Sequence, residues 1–143
     1  MSARSLLSCV ALAICFGQVS VRAGQDAAAQ NGIVQQWSVR VARPLALEAP
    51  IKGFVTNEAD FSHLWQVCQI KGDAPTIDFG QYLILVATSR SSVFKVRAIQ
   101  VDDTGDLKTV VIATPDFARD YAFVITQVER AGVKSVHGQA IGQ

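Results

Sequence analysis

The sequence predicts an α+β domain, with one principal helix packed on an antiparallel β-sheet of about six or seven strands. Three observations lead there. Only one stretch, Phe61 to Cys68, spaces its apolar residues as a helix does. The other apolar runs are short, and they either alternate with polar residues or are continuously apolar, as half-buried and fully buried strands are. Turn-forming residues separate them, including Asp102-Asp103-Thr104-Gly105-Asp106 and His137-Gly138.

The first residues are of another kind. Arg4 is followed by the uncharged run Leu6 to Gly17, then by a polar stretch ending in Val21-Arg22-Ala23. A basic start, a short apolar run and small or aliphatic residues at −3 and −1 describe an export signal over residues 1–23, cut after Ala23. The run is shorter than the ~20 apolar residues that span a bilayer, so no membrane span is expected after cleavage. Cleavage removes Cys9 and Cys15, leaving Cys68 alone and no internal disulfide. It also removes two of the thirteen basic residues, so eleven face twelve acidic ones. That balance gives no basic face for nucleic acid. Residues 24–32 (GQDAAAQNG) read as a flexible leader, and 33–143 as one domain of secreted or periplasmic location.

In order, Ile33 to Val41 alternates as a half-buried strand, and Arg43-Pro44 ends it. Ala46 to Val55 is expected to be an edge strand or extended segment. Thr56-Asn57 followed by Glu58 and Asp60 marks a helix start. Phe61, Leu64, Trp65 and Cys68 fall on one face, and the helix is expected to end near Ile70. Tyr82 to Thr88 is continuously apolar, a central strand covered on both faces. Phe94 to Val101 and Leu107 to Thr114 form a hairpin about the acidic Gly turn. Tyr121 to Glu129 is another strand, and Val133–Val136 and Gln139–Ile141 flank a tight turn at His137-Gly138.

Chemistry has few candidates. His63 and Cys68 are ~140° apart around a helix axis and cannot point at one ion. Cys68 reads as a buried apolar residue, and His63 as solvated beside Asp60 and Gln66. With His137 in a turn, no metal ligand set forms. Neither a P-loop nor Gly-x-Gly-x-x-Gly occurs, and no cofactor is expected. Ser89, Ser91 and Ser92 follow the central strand, where a hydroxyl could be presented, but no Gly-x-Ser-x-Gly elbow supports a serine hydrolase. Arg90, Lys95 and Arg97 read as a solvated face or a small basic patch. Asp78-Phe79-Gly80 reads as an Asx turn with Gly at a permissive position, launching the central strand while Phe79 fills the core.

The helix aromatics Phe61 and Trp65, the following Pro75-Thr76-Ile77-Asp78-Phe79, the strand Leu83-Ile84-Leu85-Val86 and the late Tyr121-Ala122-Phe123-Val124-Ile125 together resemble a known family. It is the C-terminal domain family named after PrcB, a subunit of a bacterial surface protease complex, and the resemblance spans roughly Ile51 to Arg130. It implies an exported, non-catalytic protein that assists a subtilisin-like protease, with Phe61, Trp65, Pro75, Asp78 and Phe79 as its structural signature. The sequence differs from that family in having Ser91-Ser92-Val93-Phe94 where a Gly-Gly-Tyr segment is common, and in lacking a lipid-anchor cysteine. The functional expectation is a protein-binding accessory domain that works on another exported protein. Arg90, Ser91, Ser92 and Phe94 are its candidate interaction loop, and an exposed apolar patch or open sheet edge is its expected mark. A small-molecule-binding domain is the alternative, and a hydrolase using the Ser89–Ser92 loop the third.

Overall fold

The computed structural model describes residues 32–46, 49 and 52–142, so the expected signal segment and all of the leader except Gly32 lie outside them. The elements are β1 (Ile33–Val41), α1 (Arg43–Ala46), β2 (Phe54–Val55), α2 (Glu58–Val67), β3 (Tyr82–Ser89), β4 (Phe94–Val101), β5 (Asp106–Ala113), β6 (Tyr121–Glu129), β7 (Ser135–Val136) and β8 (Gln139–Ala140). The α+β class and the antiparallel pairing are as the sequence predicts. The strands form two four-stranded sheets, ordered β1-β6-β3-β2 and β4-β5-β7-β8. Every pair is antiparallel except β5 and β7, which run parallel through Asp106↔Ser135 and Leu107↔Val136.

The first sheet lies between α2 and the second sheet, and the alternation of side chains along a strand explains how. Ile84 and Val86 of β3, with Phe123 and Ile125 of β6, pack beneath Phe61, Leu64, Trp65 and Cys68 of the helix segment. Leu83 and Leu85, with Val128, face the other way and meet Ile99, Leu107, Val136 and Ile141. A strand with a core on each side must be apolar at every position, which is why Leu83 to Val86 and Ala122 to Val124 run without a break. The polar side chains buried within β6 are satisfied: Gln36 Nε2 donates to Thr126 Oγ1 at 3.1 Å. Among the described residues no buried polar side-chain atom lacks a partner.

Asn57 caps α2, its Oδ1 accepting from the Asp60 backbone N–H at 2.9 Å while its amide donates to the Asp60 carboxylate at 2.8 Å. Glu58 and Asp60 sit in the first turn, where the helix dipole favours acids. The helix stops at Val67, earlier than Ile70, because Gln69 turns left-handed at φ 50°. Trp65 is the pivot of an aromatic cluster, with ring centroids 5.5 Å from Trp37 and 5.7 Å from Phe61, and Phe61 is 6.2 Å from Phe79. Its indole N–H donates to the Gly72 carbonyl at 3.0 Å, tying the chain leaving the helix back onto it. Phe61, Trp65 and Phe79 therefore belong to the core, and Pro75 is half-buried.

Three local expectations are refined. Among the described residues of the stretch expected to be extended from Ala46 to Val55, the strand is Phe54–Val55, and the preceding Arg43–Ala46 makes one helical turn, with Pro44 in the first turn where a missing N–H is harmless. The register of β4 slips between Val96 and Ala98, so Ala98 and Ile99 are both buried and the simple alternation ends there. Asp78 does form an Asx turn, its Oδ1 accepting from the Gly80 N–H at 2.9 Å. Gly80 is not at positive φ, however; a Cβ there would stand 3.0 Å from Asp78 Oδ1, so it is the close approach that favours glycine. Gly105 is needed on both counts, with φ +86° and a Cβ that would meet the Gly132 carbonyl at 2.7 Å.

Leu64 is fully buried between α2 and the first sheet, so Leu64→Ala should cost about 2–5 kcal/mol in a urea titration. Cys68 is 3 % exposed, and burial pushes its thiol pKa up to about 11. A thiol reagent should modify folded protein at least ~100-fold more slowly than urea-unfolded protein, since the thiolate is the reactive form.

Candidate interaction surface

The two sheets are joined at one end by two crossing segments, residues 90–93 from β3 to β4 and residues 114–120 from β5 back to β6. Their short-range polar chemistry fixes them to each other. Ser91 is buried, its hydroxyl 2.9 Å from that of Ser89, which also accepts the Ser91 N–H at 3.1 Å. The Arg40 guanidinium on β1 donates to the carbonyls of Ser91, at 3.2 Å, and Ser92. Ser92 donates its N–H to Asp116 Oδ1 at 3.1 Å, and its hydroxyl lies 3.2 Å from that of Thr114, which also donates to Asp116. Hydrogen bonds from Ser92 and Thr114 pull the Asp116 carboxyl down to about 2.

The structure thus divides the four residues expected to form an interaction loop. Ser91 is inside and structural. Ser92 and Phe94 line a groove of about 340 Å³ with Arg40, Lys95 and Ala122 to Val124. Arg90 points elsewhere, its guanidinium carbon 5.8 Å from the rings of both Phe117 and Tyr121. His63 is exposed on the outer face of α2, away from Cys68 as helical spacing requires. His137 occupies the β7–β8 turn at φ 49° and lines a separate cleft of about 260 Å³ with Thr88, Phe94 and Thr126. Among the described residues no group of three or more His, Cys, Asp or Glu gathers as metal ligands would, and no helix is long and apolar enough to cross a membrane.

A different feature emerges on β5. Asp106 anchors the β7–β8 hairpin to this strand, its Oδ1 accepting from Ser135 Oγ at 2.7 Å and from the Gly138 N–H at 2.8 Å. The pairing with β7 covers Asp106 and Leu107 alone. Beyond Leu107, among the described residues, no strand pairs with that side of β5. Val110, Val111 and Ile112 are 40 %, 43 % and 47 % exposed there. Four successive apolar residues, Val110 to Ala113, would signal two-sided burial as they do in β3, yet all four are exposed. The run itself was legible; that one edge of the strand is open was not.

Compared with protein-family models, curated proteins and solved structures, the chain finds no match.

The carboxyls of Asp116, Asp102 and Asp106 are all held below the ordinary range by hydrogen bonds, for Asp102 first of all the one from Lys108 Nζ at 2.8 Å. A depressed folded-state pKa stabilises the fold at pH values above the unfolded pKa, roughly 4 for a carboxylate, and that stabilisation is lost as these groups protonate. For Asp116 the loss runs from there down through about 2. The urea midpoint should fall across that window, and the fall should be shallower in Asp116→Asn.

Proposed function

We propose that the chain is an exported, non-catalytic protein-binding module that assists another exported protein, which docks an extended segment along β5. The observation that carries this reading is the open edge from Thr109 to Ala113. Sheet edges offer unpaired N–H and C=O groups to any passing strand, and proteins guard them with charge, proline or a bulge. This stretch has none of these within it. Its main chain can supply affinity by strand addition, while Val110, Val111 and Ile112 supply apolar contacts on the two faces of the extended sheet.

The export signal pattern at residues 1–23 supports an extracytoplasmic site of action, and the resemblance to the PrcB C-terminal domain family supports an accessory role beside a secreted protease. The serine-rich crossing is used to join the sheets, with Ser89, Ser91 and Ser92 hydrogen-bonded to one another's segment, to Thr114 and to Asp116. That use favours the binding reading over a hydrolytic one.

The test is a double substitution, Val110→Lys with Ile112→Lys, at two exposed positions where the fold loses little. Recovery of the partner by affinity capture from cells exporting the protein should drop at least ~10-fold, as a charged edge resists strand addition. Val34→Lys, at an exposed apolar residue on β1, should leave recovery unchanged. Equal recovery with the double variant would overturn the reading.

A further inference from the structure

Three arginines converge on one concavity at the end of the first sheet. A hollow of about 630 Å³ is lined by Ala42, Arg43, Arg90, Arg119 and Asp120. Arg43 opens α1, Arg90 follows β3, and Arg119 and Asp120 precede β6, so residues distant in sequence are brought together by the alignment of β1, β3 and β6. Among the described residues the ion pair that forms is Lys108 with Asp102, in the β4–β5 hairpin. None of the three guanidinium groups shares in it, and Asp120 does not either.

That placement is unfavourable by itself. Like charges around one hollow repel, and a chain with formal net charge +1 has acids enough elsewhere to disperse them. Arg90 is nonetheless held at the site, with its guanidinium carbon 5.8 Å from the Phe117 and Tyr121 rings, and Nη2 3.5 Å from the Ala118 carbonyl. Phe117, one of the two rings flanking Arg90, is 85 % exposed. Planar guanidinium groups bind oxyanions by paired N–H donors, and stacking on rings orients them for it. Among the described lining residues, three positive charges stand against the single carboxylate of Asp120, an excess of two.

We propose that this hollow binds a doubly charged tetrahedral oxyanion of the phosphate class, held by Arg43, Arg90 and Arg119. A phosphate carries about −1.5 to −2 near neutral pH and presents several acceptor oxygens, matching the charge excess and the number of forks. The group can arrive as free phosphate or as the phosphate of an ester, and the site's chemistry is the same for both. The proposal is independent of the β5 edge, which lies on the other sheet.

The experiment is a titration of the folded chain with inorganic phosphate, followed by calorimetry and by arginine side-chain N–H resonances. Saturable binding is expected, with shifts at Arg43, Arg90 and Arg119. Arg90→Gln and Arg119→Gln should each weaken it at least ~10-fold, the loss of one charge-assisted pair. Asp120→Asn should tighten it, by removing the opposing charge. Lys95→Gln and Arg97→Gln, on β4, should leave it unchanged. Affinity should fall from pH 7.5 to 5.5 as phosphate protonates with its second pKa of about 6. Succinate, a dianion of different shape, should bind more weakly than phosphate. Glycerol 1-phosphate binding as well as inorganic phosphate supports recognition of the group alone, and tighter binding supports an ester as the source. Binding that does not saturate, or that survives equally in the Arg90→Gln/Arg119→Gln double variant shown by circular dichroism to be folded, overturns the proposal.

Discussion

The pairing of β3 with β6 organises the molecule. These two strands are the inner pair of the first sheet, with eight residue pairs in unbroken register from Tyr82↔Glu129 to Ser89↔Ala122. Because successive side chains point to opposite faces, one pair of strands feeds both cores: Ile84, Val86, Phe123 and Ile125 toward the helix, Leu83, Leu85 and Val128 toward the second sheet. Each fully buried side chain of this size contributes roughly 1.5–3 kcal/mol. A slip of one residue would exchange the two sets and strand Thr126 and Gln127 among the wrong neighbours. Both layers that cover this pair depend on its register.

On the helix side, specificity comes from aromatic geometry as much as from burial. Trp37, Phe61, Trp65 and Phe79 meet at tilted or edge-on angles, the arrangements their ring quadrupoles favour. The Trp65 indole satisfies its N–H on Gly72, so the ring is buried without a polar penalty. This arrangement positions the loop that leads through Pro75 and Asp78 into β3. Phe61, Trp65 and Phe79, which carry much of the family resemblance, therefore have a structural purpose, while Tyr121 also flanks Arg90.

The two proposed surfaces lie where the sandwich is incomplete. The second sheet covers the first through Ile99, Leu107, Val136 and Ile141, and its hairpin β7–β8 is too short to pair with the rest of β5. The open edge is a consequence of that length. At the crossing end the sheets are joined by side-chain hydrogen bonds through Asp116, and the same loops that make these bonds present Arg90 and Arg119 outward. Joining the layers and displaying charge are thus done by neighbouring residues of the same segments.

Local periodicity determined the element types and most of the order, because alternation and the helical stripe report which faces of a segment are apolar. The burial of Cys68, the exposure of His63 and the central place of Tyr82 to Ser89 were legible for that reason. Periodicity does not say what covers a face or which edge goes unpaired. Val110 to Ala113 has the apolar continuity of a central strand and lies at an edge, and only the two-residue length of β7 decides this. In the same way Arg43, Arg90 and Arg119 are separated in the chain by 47 and 29 positions and share one hollow because β1, β3 and β6 end together. Strand pairing between distant segments is a property of the folded backbone, and it alone made those three charges neighbours.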